Sequence, residues 1–351
     1  MNEIALPRPR ANDEELREFA DALKAYPAPK TSARGWGYQL ESDLLITKGQ
    51  LDRVEKLVGT CIKKGFLPVD FVLEEEARKF SGVEHPDTDT PVEYMKGYLE
   101  AVLDCGDWYT PNWWDGERYY IQMIVEKIDL KKLFEPVCMK YHIPISTSKG
   151  WSSRLQRAEY ARRFKEAEER GLKCVLLVVG DFDPDGLRIT DFIMSNLLDL
   201  MNINWADGTE GYDPKDLEIN RFGLNYDFIV ENELTWIKGL ETGSGKDLAS
   251  PSHKNYRMKY VQDWLKQYGA KKCEANAVLK GEERRDKAIT LCRRTIESYL
   301  GGDALLRFKI KRDKVLGEME DMRQKTGLKE AVAEALDAIE AQEEEEEDGK
   351  D

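Results

Sequence analysis

The sequence predicts an α/β protein: a helical front module, then a parallel sheet covered by helices, then a helical and acidic end. Three observations carry that class. Capped helical patterns crowd the first 65 residues, and strand-length apolar runs then alternate with helical stretches from Tyr119 to Met201. From Glu330 to Asp351, eleven acidic side chains stand against one lysine. Alternation of strand and helix gives a parallel sheet buried on both faces.

In chain order, Asn12 is placed to cap a helix over Asp13 to Tyr26, which Pro27 and Pro29 end. A second helix surrounds Thr31 to Glu41. Thr47 stands three before Gln50, the capping-box spacing. Leu51, Val54, Leu57, Val58, Cys61 and Ile62 then recur at helical intervals until Gly65 closes the helix. Phe66 to Val72 is apolar enough to predict a strand, and short helices followed by a strand suggest a winged-helix or helix-turn-helix module. Pro86 to Gly116 predicts a connection with a helix near Val92 to Leu103. Beyond it, strands are predicted over Tyr119–Val125, Ile143–Ser146 and Lys173–Val179, with helices over Leu130–Tyr141, Ser153–Arg170 and Leu187–Met201. The domains expected are 1–110, 111–300 and 301–351. The last is a helical extension whose acidic run, Glu343 to Asp348, should be disordered by self-repulsion.

The 351 residues include 53 Lys+Arg and 67 Asp+Glu, a net charge of −14, but the acidic end holds so much of it that the rest carries −4. Basic residues cluster in Lys48–Lys64, Lys149–Lys173 and Lys254–Arg294, so the overall acidity does not exclude nucleic acid, which responds to local fields. The longest apolar run, Cys174 to Val179, falls far short of the roughly 18 residues that span a bilayer, and the first ten residues hold no apolar signal core. A soluble cytoplasmic protein, associated with the nucleoid and not with a membrane, is expected. Six cysteines without a CxxC pair, and no histidine at zinc-ligand spacing, predict buried thiols.

The strand ending at Val179 runs into GDFDPDG, Gly180 to Gly186, and then into a helix. In open α/β sheets, ligands sit beyond the carboxyl ends of strands, so Asp181, Asp183 and Asp185 are delivered to that edge, where Glu126 also ends a strand. Carboxylates meeting there repel one another unless a hard cation neutralises them. The expected site is therefore magnesium held by Glu126, Asp181 and Asp183. An acidic turn capping the next helix is the plain alternative for the aspartates. DFDPDG also opens like a calcium loop, but Phe192 occupies its twelfth position and a strand precedes it. GLETGSGKD, Gly239 to Asp247, has Leu240 where a phosphate loop needs its first glycine, so no ATP site is expected.

Glu126 followed by the Asp181-x-Asp183 pair at strand ends resembles a Toprim domain. Ser32-Ala-Arg34-Gly-Trp-Gly-Tyr38 resembles the motif of the A-type subunit of topoisomerase VI and its meiotic double-strand-break relatives, in which an arginine precedes the nucleophilic tyrosine by four positions. Arg221-Phe-Gly-Leu224 resembles that family's R-x-G-L segment, and Lys272-Cys-Glu274-Ala-Asn-Ala-Val278 its K-x-E-x-x-A-L segment. The resemblance covers Thr31 to Leu300, and the chain is compact like the reduced forms of phages and mobile elements. It departs at Gly37, where a second tyrosine often stands, and at Asp185 between Pro184 and Gly186, and the chain has no ATPase region.

The resemblance implies a winged-helix domain followed by a Rossmann-like Toprim domain. It implies that Tyr38 attacks double-stranded DNA, that Arg34 offsets phosphate charge, and that Mg2+ is bound by Glu126, Asp181 and Asp183. It further implies a homodimer in which one copy's tyrosine works with the other copy's metal, and a separate ATPase B-type subunit for strand passage. Lys48, Arg53, Lys56, Lys63, Lys64, Arg154 and Arg157, with Arg162 and Arg163 beside them, are the cations expected to meet phosphates. The rival readings are a Toprim nuclease using metal-bound water, with Tyr38 a packing aromatic beside Trp36, and a non-catalytic DNA-binding subunit.

Overall fold

The computed structural model describes residues 4, 6–8, 11–28, 30–72, 86–148, 154–241 and 246–348, with backbone only for 343–348. They form two compact units, one of Met1–Glu75 with Gly116–Gly301 and one of Glu76–Asp115 with Gly302–Asp351.

The first unit begins with α1 (Asp13–Lys24), capped reciprocally by Asn12 and Glu15 as the spacing predicts. In α2 (Ala33–Ser42), the Ser32 hydroxyl accepts the Gly35 N–H. The Thr47/Gln50 box forms around a 3-10 turn, Lys48–Gln50, and α3 (Leu51–Lys63) follows. Gly65, at φ 74°, closes α3 in the left-handed conformation glycine tolerates. Leu16, Phe19, Leu23, Trp36, Leu40, Val54, Val58 and Cys61 bury the facing stripes of the three helices in one core.

The strand expected over Phe66–Val72 does not form. Pro68 opens a 3-10 turn at Val69–Phe71, and Phe71 stacks on Trp36 with ring centroids 5.0 Å apart. The apolar residues there pack on the helical core, and no strand occurs among the described residues of the first 75.

After α4 (Pro91–Leu103) and α5 (Cys105–Trp108) come β1 (Tyr119–Val125), α6 (Ile128–Lys140), β2 (Ile145–Thr147), α7 (Arg154–Glu169) and β3 (Lys173–Val179). Then follow α8 (Pro184–Leu187), α9 (Ile189–Leu198) and β4 (Glu218–Gly223). The four strands pair in parallel in the order β2-β1-β3-β4. Successive residues of β1 point to opposite faces: Met123 meets Cys138 of α6, with sulfurs 3.6 Å apart, while Gln122 bonds the Tyr160 carbonyl of α7 at 3.1 Å. Both faces are thus covered, which is why β1 and β3 read as unbroken apolar runs. The unit closes with α10 (Tyr226–Glu231), β5 (Ile237–Lys238), α11 (Lys259–Tyr268), β6 (Lys271–Lys272) and α12 (Glu282–Leu300), with β5 and β6 antiparallel.

In the second unit, α4 is capped by Thr90 and Glu93 with Pro91 at its first turn, and it packs on α14 (Leu328–Asp348). Trp113 lies 4.6 Å from Phe308 of α13 (Ala304–Thr326), and the Lys311 ammonium binds the Asn112 and Trp113 carbonyls at 3.1 and 3.3 Å. The acidic run expected to be disordered is instead the last part of α14, through Asp348. Glutamate is a good helix former, and the run continues an Ala- and Leu-rich helix already in phase. No helix among the described residues is long and apolar enough to cross a membrane.

Candidate functional site

The site is built where β1 and β3 end side by side. Val125 pairs with Val179, and the Glu126 N–H donates to the Val179 carbonyl at 2.9 Å, which sets Glu126 against the start of the Gly180–Gly186 loop. Its Oε2 accepts the Asp181 N–H at 2.6 Å. A Cβ on Gly180 would lie 2.8 Å from that same oxygen, so a side chain there would push the Glu126 carboxylate aside. Asp183 caps α8, its Oδ1 accepting the Gly186 N–H at 2.6 Å.

Arg221 holds the loop from the next strand. The β3/β4 register shifts between Val178 and Val179, which brings Gly223 opposite Val179 and Arg221 opposite Val178. Its guanidinium donates to the carbonyls of Gly180 and Asp181, both at 2.8 Å, and of Gly186 at 3.1 Å. From the other side, Phe182 and Cys273 exchange backbone hydrogen bonds of 2.8 and 3.0 Å, and the Ala275 N–H donates to Asp181 Oδ1 at 2.7 Å. The R-x-G-L and K-x-E-x-x-A segments therefore converge on the aspartate loop.

Charges are dense and buried here. Asp181, Glu274, Lys272 and Glu41 are 7%, 3%, 2% and 2% exposed. The Lys127 ammonium donates to Asp181 Oδ1 at 2.7 Å and to Glu274 Oε2, while Lys272 donates to Glu274 Oε1 at 2.6 Å. Burial raises the Asp183 carboxyl above its ordinary value. Burial pushes Glu274 up too, but the charges of Lys127 and Lys272 outweigh it and hold that carboxyl well below the usual range. Lys127 loses by burial and regains more from Asp181, Glu274 and Glu126, so it stays protonated.

Arg34 and Tyr38 lie one turn apart on α2 and share a face. Arg34 Nε donates to Tyr38 Oη at 3.4 Å, and its Nη1 is held by Asp52 at 3.1 Å and Glu55 at 3.5 Å on α3. A Cβ on Gly37 would meet Leu51 Cδ2 at 2.8 Å, so a second tyrosine there would displace Leu51. The Lys127 ammonium stands 5.1 Å from the Tyr38 ring centroid. Arg34, Tyr38, Glu126, Lys127, Asp181 and Asp183 line one groove of about 890 Å³, together with Lys48, Asp185 and Glu274. A single chain thus supplies both the phenol and the acids, so the division between two copies that the resemblance implies is not required by this geometry.

The donor set suits magnesium: three carboxylates, all hard oxygen ligands, beside Gly180 and Gly186, where a Cβ would crowd the Glu126 carboxylate and the Asp181 carbonyl. As arranged, though, no three His, Cys, Asp or Glu side chains among the described residues stand close enough to hold one ion. Beside Asp181, the Lys127 ammonium takes that place. Asp185 instead accepts from the Tyr260 hydroxyl at 3.1 Å.

The cations expected on the surface divide. Lys48 turns inward, donating to the Glu241 carbonyl at 3.1 Å and standing 3.8 Å from Glu274. Arg53 binds the Pro7 carbonyl, and Arg157 binds Asn196 Oδ1 at 2.8 Å. Arg163 donates to Gln122 at 3.0 Å, and Arg162 pairs with Glu166 and Asp207 at 3.1 and 3.0 Å. Lys56, Lys63, Lys64 and Arg154 are exposed, with Lys64 paired to Asp13 at 2.5 Å. Of the Gly239–Asp247 loop, 242–245 lie outside the described residues, and Asp247 Oδ1 accepts from the Leu240 N–H at 3.0 Å.

Sequence reasoning missed Lys127 and Glu41. The signal for Lys127 was its place, directly after a strand-end carboxylate. Glu41 carried none, because its burial depends on how α2 docks. None of the known protein families, curated proteins or solved structures compared with the chain matches it.

Proposed function

We propose that this chain cleaves double-stranded DNA by tyrosine transesterification, in the manner of the A-type subunit of topoisomerase VI, with a three-helix front module and a Toprim-like sheet domain. One observation carries the reading: Tyr38 and the strand-end acids Glu126, Asp181 and Asp183, from distant segments, line a single groove.

A phenol ordinarily titrates near pH 10, so it needs cationic neighbours to act as a nucleophile at neutral pH. Arg34 and Lys127 stand beside it. In the proposed step, Tyr38 Oη bonds to phosphorus while the bond from phosphorus to the deoxyribose oxygen breaks. The phenolic proton passes to water, and the leaving oxygen takes up a proton as a hydroxyl. The phosphotyrosyl ester keeps the bond energy, so the reverse step reseals the strand. Arg34, held in place by Asp52 and Glu55, offsets charge on the phosphate. Magnesium at Glu126, Asp181 and Asp183 would supply charge neutralisation beside the phosphate. Lys56, Lys63, Lys64 and Arg154 are the exposed cations left to contact the backbone. Cutting both strands takes two copies, and strand passage would take a separate ATPase chain.

The test incubates the purified chain with supercoiled plasmid and magnesium, then denatures it with and without protease. The expected result is protein-linked ends that Tyr38→Phe abolishes while DNA retention is unchanged. Ends free of protein would instead indicate hydrolysis by metal-bound water, and an uncut plasmid would indicate a protein that only binds DNA. Either outcome contradicts the proposal.

A further inference from the structure

The cation that the acidic groove requires is supplied by the chain itself. Lys127 reaches from the end of β1 to Asp181 at 2.7 Å and to Glu274, and its side chain is only 15% exposed. Glu274 has other partners, since Lys272 binds it at 2.6 Å and Lys48 stands at 3.8 Å. For Asp181, Lys127 is the cation whose contact sets its charge balance, the other donor to Oδ1 being the neutral Ala275 N–H at 2.7 Å.

We propose that Lys127 is a built-in counter-ion that competes with a divalent cation for Asp181. This deepens, and rests on, the reading of the groove as a magnesium-assisted cleavage site. A divalent ion reaching the carboxylates meets a fixed ammonium at the same oxygen, and like charges at that range repel strongly in a buried setting. Binding therefore requires the ammonium to leave Asp181. The Tyr38 ring, whose centroid is 5.1 Å from the ammonium, lies on one side of it. The intact chain holds divalent ions weakly, and the groove stays folded without them.

The experiment measures Mn2+ binding to the full chain by electron paramagnetic resonance, without DNA, alongside thermal unfolding in chelator and in Mn2+. Lys127→Met should bind Mn2+ at least about tenfold more tightly than the natural chain. It should also melt lower in chelator and regain more of the loss on adding Mn2+. Lys127→Gln keeps a donor for Asp181 without the charge; it should show the same gain and serves if the methionine variant does not fold. Lys48→Met, which removes a charge beside Glu274 and Glu41 and leaves the Lys127 contact with Asp181 in place, should change the affinity much less. Unchanged or weaker Mn2+ binding in both Lys127 variants overturns the proposal. An equal gain in Lys48→Met, or no Mn2+ binding by any of these chains, also overturns it. Because no DNA is present, failure here is separate from failure of the cleavage reading, which the plasmid assay decides.

Discussion

Glu41 carries a carboxylate oxygen that is buried without a hydrogen-bond partner among the described residues, in a side chain 2% exposed on the helix that bears Tyr38. Burial first, and the nearby Glu274 charge second, raise its folded-state pKa above the ordinary carboxylate value. A raised pKa favours the protonated form in the folded state, so its contribution is fully present below the unfolded pKa. It is lost as pH rises through the folded one. Glu41→Gln should therefore stabilise the chain near neutral pH by about 1 kcal/mol, with the gain vanishing below roughly pH 4. Chemical unfolding at several pH values checks both the sign and the window. Residues of this kind were not legible in the sequence. Glu126, Asp181 and Asp183 were, because they follow the ends of two apolar strands within a few residues, whereas Glu41 and Lys127 acquire their surroundings from docking of segments far apart in the chain.

Among the elements, β1 and β3 were readable because burial on both faces makes every position apolar. The Phe66–Val72 segment misled for a related reason: its apolar side chains cover the helical core from an irregular stretch, and composition does not reveal whether a partner strand exists. The bulge between β3 and β4 was equally invisible, although it aims Arg221 at the aspartate loop. Arg221→Leu leaves the Gly180, Asp181 and Gly186 carbonyls without that donor and should cost about 3 kcal/mol of stability. Urea denaturation measures the loss. Because the loop carries Asp181 and Asp183, the same variant should also lose DNA cleavage; wild-type stability and cleavage together would contradict the role given to this arginine.

Across the whole molecule, the fold predicts uneven thiol reactivity. Cys61, Cys138, Cys174, Cys273 and Cys292 are buried, whereas Cys105 is exposed. Burial also pushes the Cys61, Cys174 and Cys273 thiols up, the last to about 12, which depletes the reactive thiolate. Native labelling with a maleimide, read by intact mass, should modify one site quickly, at Cys105, and the rest only after unfolding. Cleavage by the proposed route leaves Tyr38 covalently joined to DNA. The most direct measurement digests the cleaved complex with nuclease and protease and locates the nucleotide-bearing peptide by mass spectrometry. A phosphotyrosyl nucleotide on Tyr38 is the predicted result, and DNA cut without any linked peptide, or linked through another residue, would contradict it.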